Sequence, residues 1–484
     1  MKKLFYVFSL ILILIFPAFG QEHISVHELH KKQFGNQPLR KSLFNEDGSD
    51  IIPLRSDKAQ TSSAVFGYLP DWEYPTERSL IQYDLLTHIA CFDFQADAFG
   101  NLIYPNSWPW TDVINQAHSN GVKVVMCVTN FTGSQITSII SVQTNKQNLF
   151  TSIKNIIRQY SLDGVNIDFE GLVKSDRGSA INSFMAELTD TVHAHWPEKE
   201  VSFAGPVINW GGWDLLGLAK ACDYIFVMGY DFNGKWSTAA GPTSPLTGGT
   251  YNLTSALTSS SFGYGAVIPS YSQKLILGVP YFGNRWQVSS NSPYAKVVKH
   301  VSSTFFRSEI DSSKTYGQKW DNFSRTPWYS HQQDTLWVQD WFDTDSSISL
   351  KYDLAASNNL KGVGMWALGQ DGSRQELWNL LRKRVIAGVN NGSNSAPAGF
   401  ALSQNYPNPF NPSTVINYDV PKSTKITLSV HDILGREVAV LVNEEKSPGR
   451  YSVRFDGSNL PSGVYIYRLE YGGLSIAKKF ILMK

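Results

Sequence analysis

From Val65 the chain repeats one hydropathy rhythm: a short run of β-branched and aromatic residues, then a longer polar stretch with helical spacing. The apolar runs are VFGYLPDW (65–72), HIACFDF (88–94), VKVVMCV (122–128), GVNIDFE (164–170), VSFAGPV (201–207), YIFVMGYD (224–231), LILGVPYF (275–282) and VGMWALG (363–369). Helical segments stand between several of them, such as NLFTSIKNIIRQY before the fourth run and DRGSAINSFMAELTDTVHAHW after it. Eight strands alternating with helices predict an α/β fold, an eight-stranded parallel (β/α)8 TIM barrel. A doubly wound open sheet would need a glycine-rich phosphate loop after the first strand, and GYLPDW is not one. The long stretch from Trp286 to Asp340 predicts a small insertion before strand eight.

Outside residues 63–388 the rhythm stops. Lys2 and Lys3 precede an apolar stretch, Leu4 to Phe19, with Ala18 and Gly20 ahead of Gln21, so residues 1–20 read as a secretory signal. The stretch is shorter than the ~20 residues of a spanning helix. Residues 21–62 are polar, have little periodicity and read as a loosely ordered leader. After a small-polar linker at 389–399, residues 400–484 alternate with period two in TVINYDV, KITLSVHD, YSVRFD, VYIYRLEY and IAKKFILMK. Turn signals separate several of these, which predicts an all-β, immunoglobulin-like sandwich.

Composition narrows the function classes. A formal charge of +1 gives no electrostatic reason for a nucleic-acid or charged-membrane partner. Aromatic residues reach 13%, with 14 Trp and 22 Tyr, which suits either an aromatic core or stacking on sugar faces. Cys91, Cys127 and Cys222 each sit in an apolar run, at spacings that fit neither a disulfide framework nor a zinc site. Neither a metal nor another cofactor is expected.

The chemistry concentrates in Asp163-Gly164-Val165-Asn166-Ile167-Asp168-Phe169-Glu170. Strand side chains alternate, so Asn166, Asp168 and Glu170 share one face and Val165, Ile167 and Phe169 the other. In a barrel the apolar trio faces the helices. The polar trio therefore points inward and climbs to the C-terminal mouth, where barrel enzymes keep their reacting groups. Burial raises the pKa of a carboxyl there, which suits Glu170 to general-acid work. The bland alternative is a polar network that only fixes barrel register.

This segment resembles the D-x-x-D-x-D-x-E signature of glycoside hydrolase family 18, the chitinases and their relatives. GYLPDW, MGYD (Met228 to Asp231), LGVPYFGNRW and VGMWALGQDG resemble the family's first, sixth, seventh and eighth strands, in order. The resemblance implies substrate-assisted retention, an exception to the two-carboxylate scheme. It makes Glu170 the acid and base, and Asp168 the group that orients the acetamido N–H. Tyr230 would bond the acetamido carbonyl, and Asp231 would hold the reacting sugar over a floor formed by Trp366. Met228, Asn166 and Tyr68 would complete the sugar site. Asn166 stands where the family has an aspartate that shares a proton with the residue at 168. The spore-cortex peptidoglycan hydrolases of the family carry the same variant, so the change is compatible with activity. At strand three, Cys127-Val128-Thr129-Asn130 replaces the usual S-x-G-G.

YPNPFNPST, DILGREV, LPSGVYIYRL and the closing AKKFILMK resemble the C-terminal sorting domain of the type IX secretion system. A sugar-binding module is the alternative, but residues 400–484 contain no Trp. The expectation is a secreted or surface-attached hydrolase of β-1,4-linked N-acetylglucosamine polymers, with chitin or chitooligosaccharides first. Peptidoglycan, N-glycan cores and a non-catalytic lectin are the rival readings. Its partners would be that polysaccharide and, through the tail, the type IX machinery.

Overall fold

The computed structural model describes residues 24–35, 38, 40–55, 63–392, 399–405 and 408–483. The expected signal at 1–20 and most of the linker lie outside them. Two compact units divide at Val385/Ile386.

The first unit is a closed parallel barrel. Its strands are β1 (Ala64–Pro70), β2 (His88–Ala96), β3 (Lys123–Asn130), β4 (Gly164–Phe169), β5 (Glu200–Pro206), β6 (Tyr224–Met228), β7 (Leu275–Pro280) and β8 (Gly362–Trp366). Each pairs with the next, and β1 closes the ring by pairing with both β2 and β8. Val165, Ile167 and Phe169 of β4 join the outer core, with Leu149, Ile153 and Leu188 from the flanking helices. Inside the ring Phe66, Tyr68, Phe92, Cys127, Tyr224, Phe226 and Trp366 are packed together. The Phe226 ring fits because Gly278 and Gly364 lack a Cβ, which would stand 2.3 and 2.4 Å from it. All three cysteines are buried and unpaired.

Between β7 and β8 the chain builds a five-stranded antiparallel sheet. Its order is Val297–Phe305, Phe282–Val288, Leu336–Trp341, Thr326–Gln333 and Lys319–Asp321, with a helix at Phe306–Tyr316. The insertion thus opens at Phe282, slightly ahead of the expected Trp286.

The leader departs from the sequence reading. Instead of a loose polar stretch, Val26–Phe34 forms a helix, α1, with the Ser25 hydroxyl capping the Glu28 N–H at 3.1 Å. Its buried residues are Val26, His27 and His30. Residues of the insertion and of the barrel mouth bury them, so contacts distant in sequence order a segment whose own periodicity is weak.

The second unit holds a three-stranded sheet (Ala401–Leu402, Ser413–Val420, Gly449–Asp456) and a four-stranded one (Glu437–Lys446, Thr424–His431, Gly463–Tyr471, Leu474–Leu482), both antiparallel. Ile416, Val420, Leu428, Tyr467 and Phe480 lie in its core. Glu437–Lys446 is a strand the sequence reading leaves out. Among the described residues no helix is long and apolar enough to cross a membrane.

Candidate active site

Strand β4 delivers its inward trio as the alternation dictates. Asn166 and Asp168 are fully buried, and Glu170 follows the strand's last residue at the mouth. Asn166 uses its whole amide below the site. Its Oδ1 accepts from the Tyr68 hydroxyl at 2.8 Å and from Cys127 Sγ at 3.6 Å, and its Nδ2 donates to Ser202 Oγ at 2.9 Å. The amide is thus spent on Tyr68, Cys127 and Ser202, while Asp168 turns upward to another partner. Asp163, the first residue of the signature, lies at the strand's opposite end. There it accepts from Val124 N–H at 2.8 Å and meets His118 at 3.0 Å and Lys199 at 3.1 Å, a purely structural knot.

The partner of Asp168 is His27 of α1. Its Nδ1 is 2.7 Å from Asp168 Oδ2 and 3.2 Å from Glu170 Oε1, and its Nε2 is 2.9 Å from the Tyr230 hydroxyl. The ring stacks on Trp366, with centroids 3.8 Å apart and planes 27° from parallel. One residue earlier, Val26 N–H donates to Asp231 Oδ2 at 2.9 Å. Asp231 itself has φ 67°, a left-handed conformation uncommon for a non-glycine residue. Lys31, one turn along α1, pairs with Asp93 at 2.6 Å. His30 accepts from Trp366 Nε1 at 3.0 Å and packs edge-on against Phe282.

Burial and charge set the protonation states. Burial alone would lower His27, but the carboxylates of Asp168 and Glu170 outweigh it and raise the ring to about 10, so it is a cation at neutral pH. Burial and that cation together drive His30 down to about 3, keeping it neutral and able to accept from Trp366. Glu170 is raised by burial and by the charge of Asp168, against the pull of His27 and the Ser25 hydroxyl. Asp231 is pushed up to about 7, mainly by burial. Asp168 Oδ1 has no hydrogen-bond partner among the described residues, and Glu170 Oε1 has only its ion pair with His27. His27, Asp168 and Glu170 present donor atoms within 4.8 Å of one another, as a metal site would. At 2.7 Å, however, His27 and Asp168 bond directly.

Beside α1 a cavity of about 580 Å³ stays open, lined among others by Glu170, Met228, Tyr230, Asp231, Phe131 and Trp210. Trp210 is half exposed and packs edge-on against Tyr251, centroids 4.8 Å apart. On the β3 side Thr129 bonds Asp93 at 2.5 Å, and Asn130 donates to the Ala96 carbonyl at 2.7 Å. Buried, hydrogen-bonded side chains thus stand where the family pattern has glycines.

Residues 64–371, nearly the whole barrel with its insertion, match the model of glycosyl hydrolases family 18. The chain belongs to that family. It is therefore a glycoside hydrolase of the chitinase-like kind. Residues 404–483 match the secretion system C-terminal sorting domain, the type IX tail, which directs export to the cell surface or the medium. Human di-N-acetylchitobiase is 27% identical over 312 residues, covering 57% of this chain and 77% of that protein. The cortical fragment-lytic enzyme of Bacillus subtilis (strain 168) is 24% identical over 313 residues, 61% of this chain and 67% of that protein. The fold is shared with the Group IV chitinase of Ostrinia furnacalis in complex with allosamidin. That structure has a TM-score of 0.56 at 18% identity, covering 67% of this chain and 99% of that one.

The structure thus brings all eight sequence-chosen residues of this family 18 enzyme to one region. Glu170, Asp168, Tyr230, Asp231, Trp366 and Met228 stand around the mouth, with Asn166 and Tyr68 beneath. Sequence reasoning missed His27, Val26 and His30. The available signal was Ser25-Val26-His27-Glu28, an S-x-x-E helix start, followed by His27, His30 and Phe34 on one helical face.

Proposed function

We propose that this family 18 enzyme cleaves β-1,4-linked N-acetylglucosamine chains, chitin or chitooligosaccharides, with retention and with help from the substrate's own acetamido group. The supporting observation is the gathering of Glu170, Asp168, Tyr230 and Asp231 around the face of Trp366. A flat ring, a general acid and two groups matched to an acetamide then meet in one place.

The reacting sugar lies on Trp366, its C–H face against the indole. Asp168 accepts the acetamido N–H, and the Tyr230 hydroxyl donates to the acetamido oxygen, aiming that oxygen at the anomeric carbon. Asp231 holds the ring. Glu170, whose pKa burial and Asp168 raise, gives its proton to the glycosidic oxygen as the C–O bond breaks. The acetamido oxygen closes on the anomeric carbon to give a bicyclic oxazolinium ion, whose positive charge Asp168 offsets at short range. Glu170, now a carboxylate, takes a proton from water as that water opens the ring. Two displacements leave the anomeric configuration unchanged.

A thiazoline analogue of the oxazolinium tests this directly. It is expected to inhibit at least 10²-fold more tightly than N-acetylglucosamine binds, as intermediate mimics do. Chains deacetylated at the cleaved sugar are expected to be inert, and their efficient hydrolysis would refute substrate assistance. A peptidoglycan reading has its own support in Asn166 and in the likeness to the cortical fragment-lytic enzyme. A panel of chitin, peptidoglycan and N-glycan cores separates the two.

A further inference from the structure

The leader helix occupies the ground on which the proposed reaction takes place. His27 covers Trp366, bonds Asp168 and Tyr230 through its two nitrogens, and Val26 N–H takes Asp231. A sugar ring at the mouth needs all four of these partners, so helix and substrate exclude each other.

The fit is chemical as well as steric. The oxazolinium intermediate carries a planar five-membered cation with an N–H. His27 supplies a planar five-membered cation whose Nδ1–H meets Asp168 as the ring's N–H would, while its Nε2–H donates to the Tyr230 hydroxyl, which accepts here where it would donate to the sugar. Lys31 on Asp93 and His30 under the Trp366 N–H anchor the next turn of the helix.

After α1 the chain is tied to a different part of the barrel. Ser42 Oγ donates to the Pro109 carbonyl at 3.2 Å, the Tyr160 hydroxyl donates to the Glu46 carbonyl at 3.0 Å, and Ile52 N–H donates to Asn115 Oδ1 at 2.9 Å. Where the tied stretch begins lie Arg40 and Lys41, both exposed, with the Arg40 carbonyl accepting from Ser107 N–H at 3.0 Å. A cut there separates the helix from the strap and leaves only the Arg40–Ser107 hydrogen bond on the helix side.

We propose that α1 is an inhibitory pro-segment in which His27 takes the place of the reacting sugar's acetamido-derived ring, and that hydrolysis after Arg40 or Lys41 by a basic-residue-specific protease releases it. In that step water adds to the carbonyl carbon of residue 40 or 41. The C–N bond breaks, leaving a carboxylate on the helix fragment and an ammonium on the barrel. No oxidant or reductant is involved. The inference rests on Asp168 and Glu170 being the working carboxylates, as proposed above.

The test keeps the full chain and replaces residues 38–41 with the recognition sequence of a site-specific protease. Chitooligosaccharide hydrolysis is measured before and after the cut, with release of the fragment followed by gel filtration. A rise of about 10²-fold is expected, the usual scale for losing a buried, paired charge. His27→Ala in the uncut chain is expected to give at least about tenfold of that rise, with cutting supplying only the remainder. Equal rates for cut and uncut protein, with the fragment gone, would overturn the proposal. Should both forms be inert on every sugar tested, the reading of the substrate fails, and a second measurement still decides the pro-segment. A synthetic peptide of residues 24–35, titrated calorimetrically into the cut and separated enzyme, is expected to bind, and at least about tenfold more weakly when it carries His27→Ala. Absence of binding, or equal binding of both peptides, would refute it.

Discussion

Replacing Asn166 by Asp converts a neutral, fully bonded amide into a carboxyl in the barrel interior. Asn166 is wholly buried, and its neighbours Tyr68, Cys127 and Ser202 offer hydroxyl and thiol groups but no cation. Burial of a carboxyl in such surroundings raises its pKa by about 3 units, and at 1.36 kcal/mol per unit the ionised form is disfavoured by about 4 kcal/mol. A group raised in the folded state weakens folding above its unfolded pKa of about 3.9, by an amount that grows until pH passes the folded value. The variant should therefore match the wild type at pH 4. It should lose stability steadily to about pH 7, and its barrel should then melt roughly 8 °C lower. Asp168 adds to the effect. Two residues along one face is about 7 Å, and at an effective dielectric of 20 two charges there repel by about 2.4 kcal/mol. While the His27 cation lies 2.7 Å from Asp168 it offsets most of that repulsion. Cut enzyme should accordingly show the larger pH slope. The assay is a thermal melt of wild type and Asn166→Asp, cut and uncut, from pH 4 to 9. Parallel curves would refute the reasoning and show that the barrel interior solvates a charge at 166.

Four further outcomes are expected. In cut enzyme, Glu170→Gln should lower kcat by about 10²–10⁴-fold while a chitooligosaccharide still binds, as calorimetry and steady-state kinetics together would show. The ratio of uncut to cut activity should rise with pH. His27 goes from 6.5 when free to about 10 when docked, so docking is strongest below pH 6.5 and weakens up to tenfold per pH unit until pH passes about 10. That ratio cancels the pH–rate profile of the open cleft, while docking also lowers Glu170 and Asp231 and so opposes the trend. The same pH profile for His27→Ala as for the wild type would show that the charge of His27 is irrelevant to docking. Trp210→Ala should raise KM for oligomers of four or more sugars by about 3–10-fold and leave the disaccharide unaffected, if the exposed ring supports sugars beyond the cleaved bond. Deletion of residues 400–484 should leave hydrolysis by the barrel intact in vitro but strand the protein in the periplasm of a type IX host, as fractionation would report.

Period-two alternation placed Val165, Ile167 and Phe169 outward and the polar trio inward, because that phase depends only on neighbouring residues. The barrel's helices were legible from their own local spacing, and the insertion from the length of chain between two strands. The leader was not. His27 lies 141 positions from Asp168 and 203 from Tyr230, and nothing in its local sequence specifies a partner at that range. The strand Glu437–Lys446 escaped because its side chains are only partly buried, which leaves its hydropathy alternation faint. The contacts of Asn166 also lay beyond local pattern. The sequence shows that its charge is missing, whereas the direction in which its amide points is decided by Tyr68 on β1 and Ser202 on β5.

The strap that follows α1 also makes release irreversible in practice. While the backbone is continuous, the helix meets the mouth at an effective concentration in the millimolar range, as short tethers give. An intrinsic dissociation constant of about 10 μM then keeps roughly 99% of molecules shut. Once the chain is cut, the same fragment is diluted into the surroundings of an exported protein. At nanomolar fragment concentrations fewer than about one molecule in a thousand would recapture it. Covalent continuity, more than tight binding, is what holds the cleft closed, and its loss cannot be reversed by the same chain.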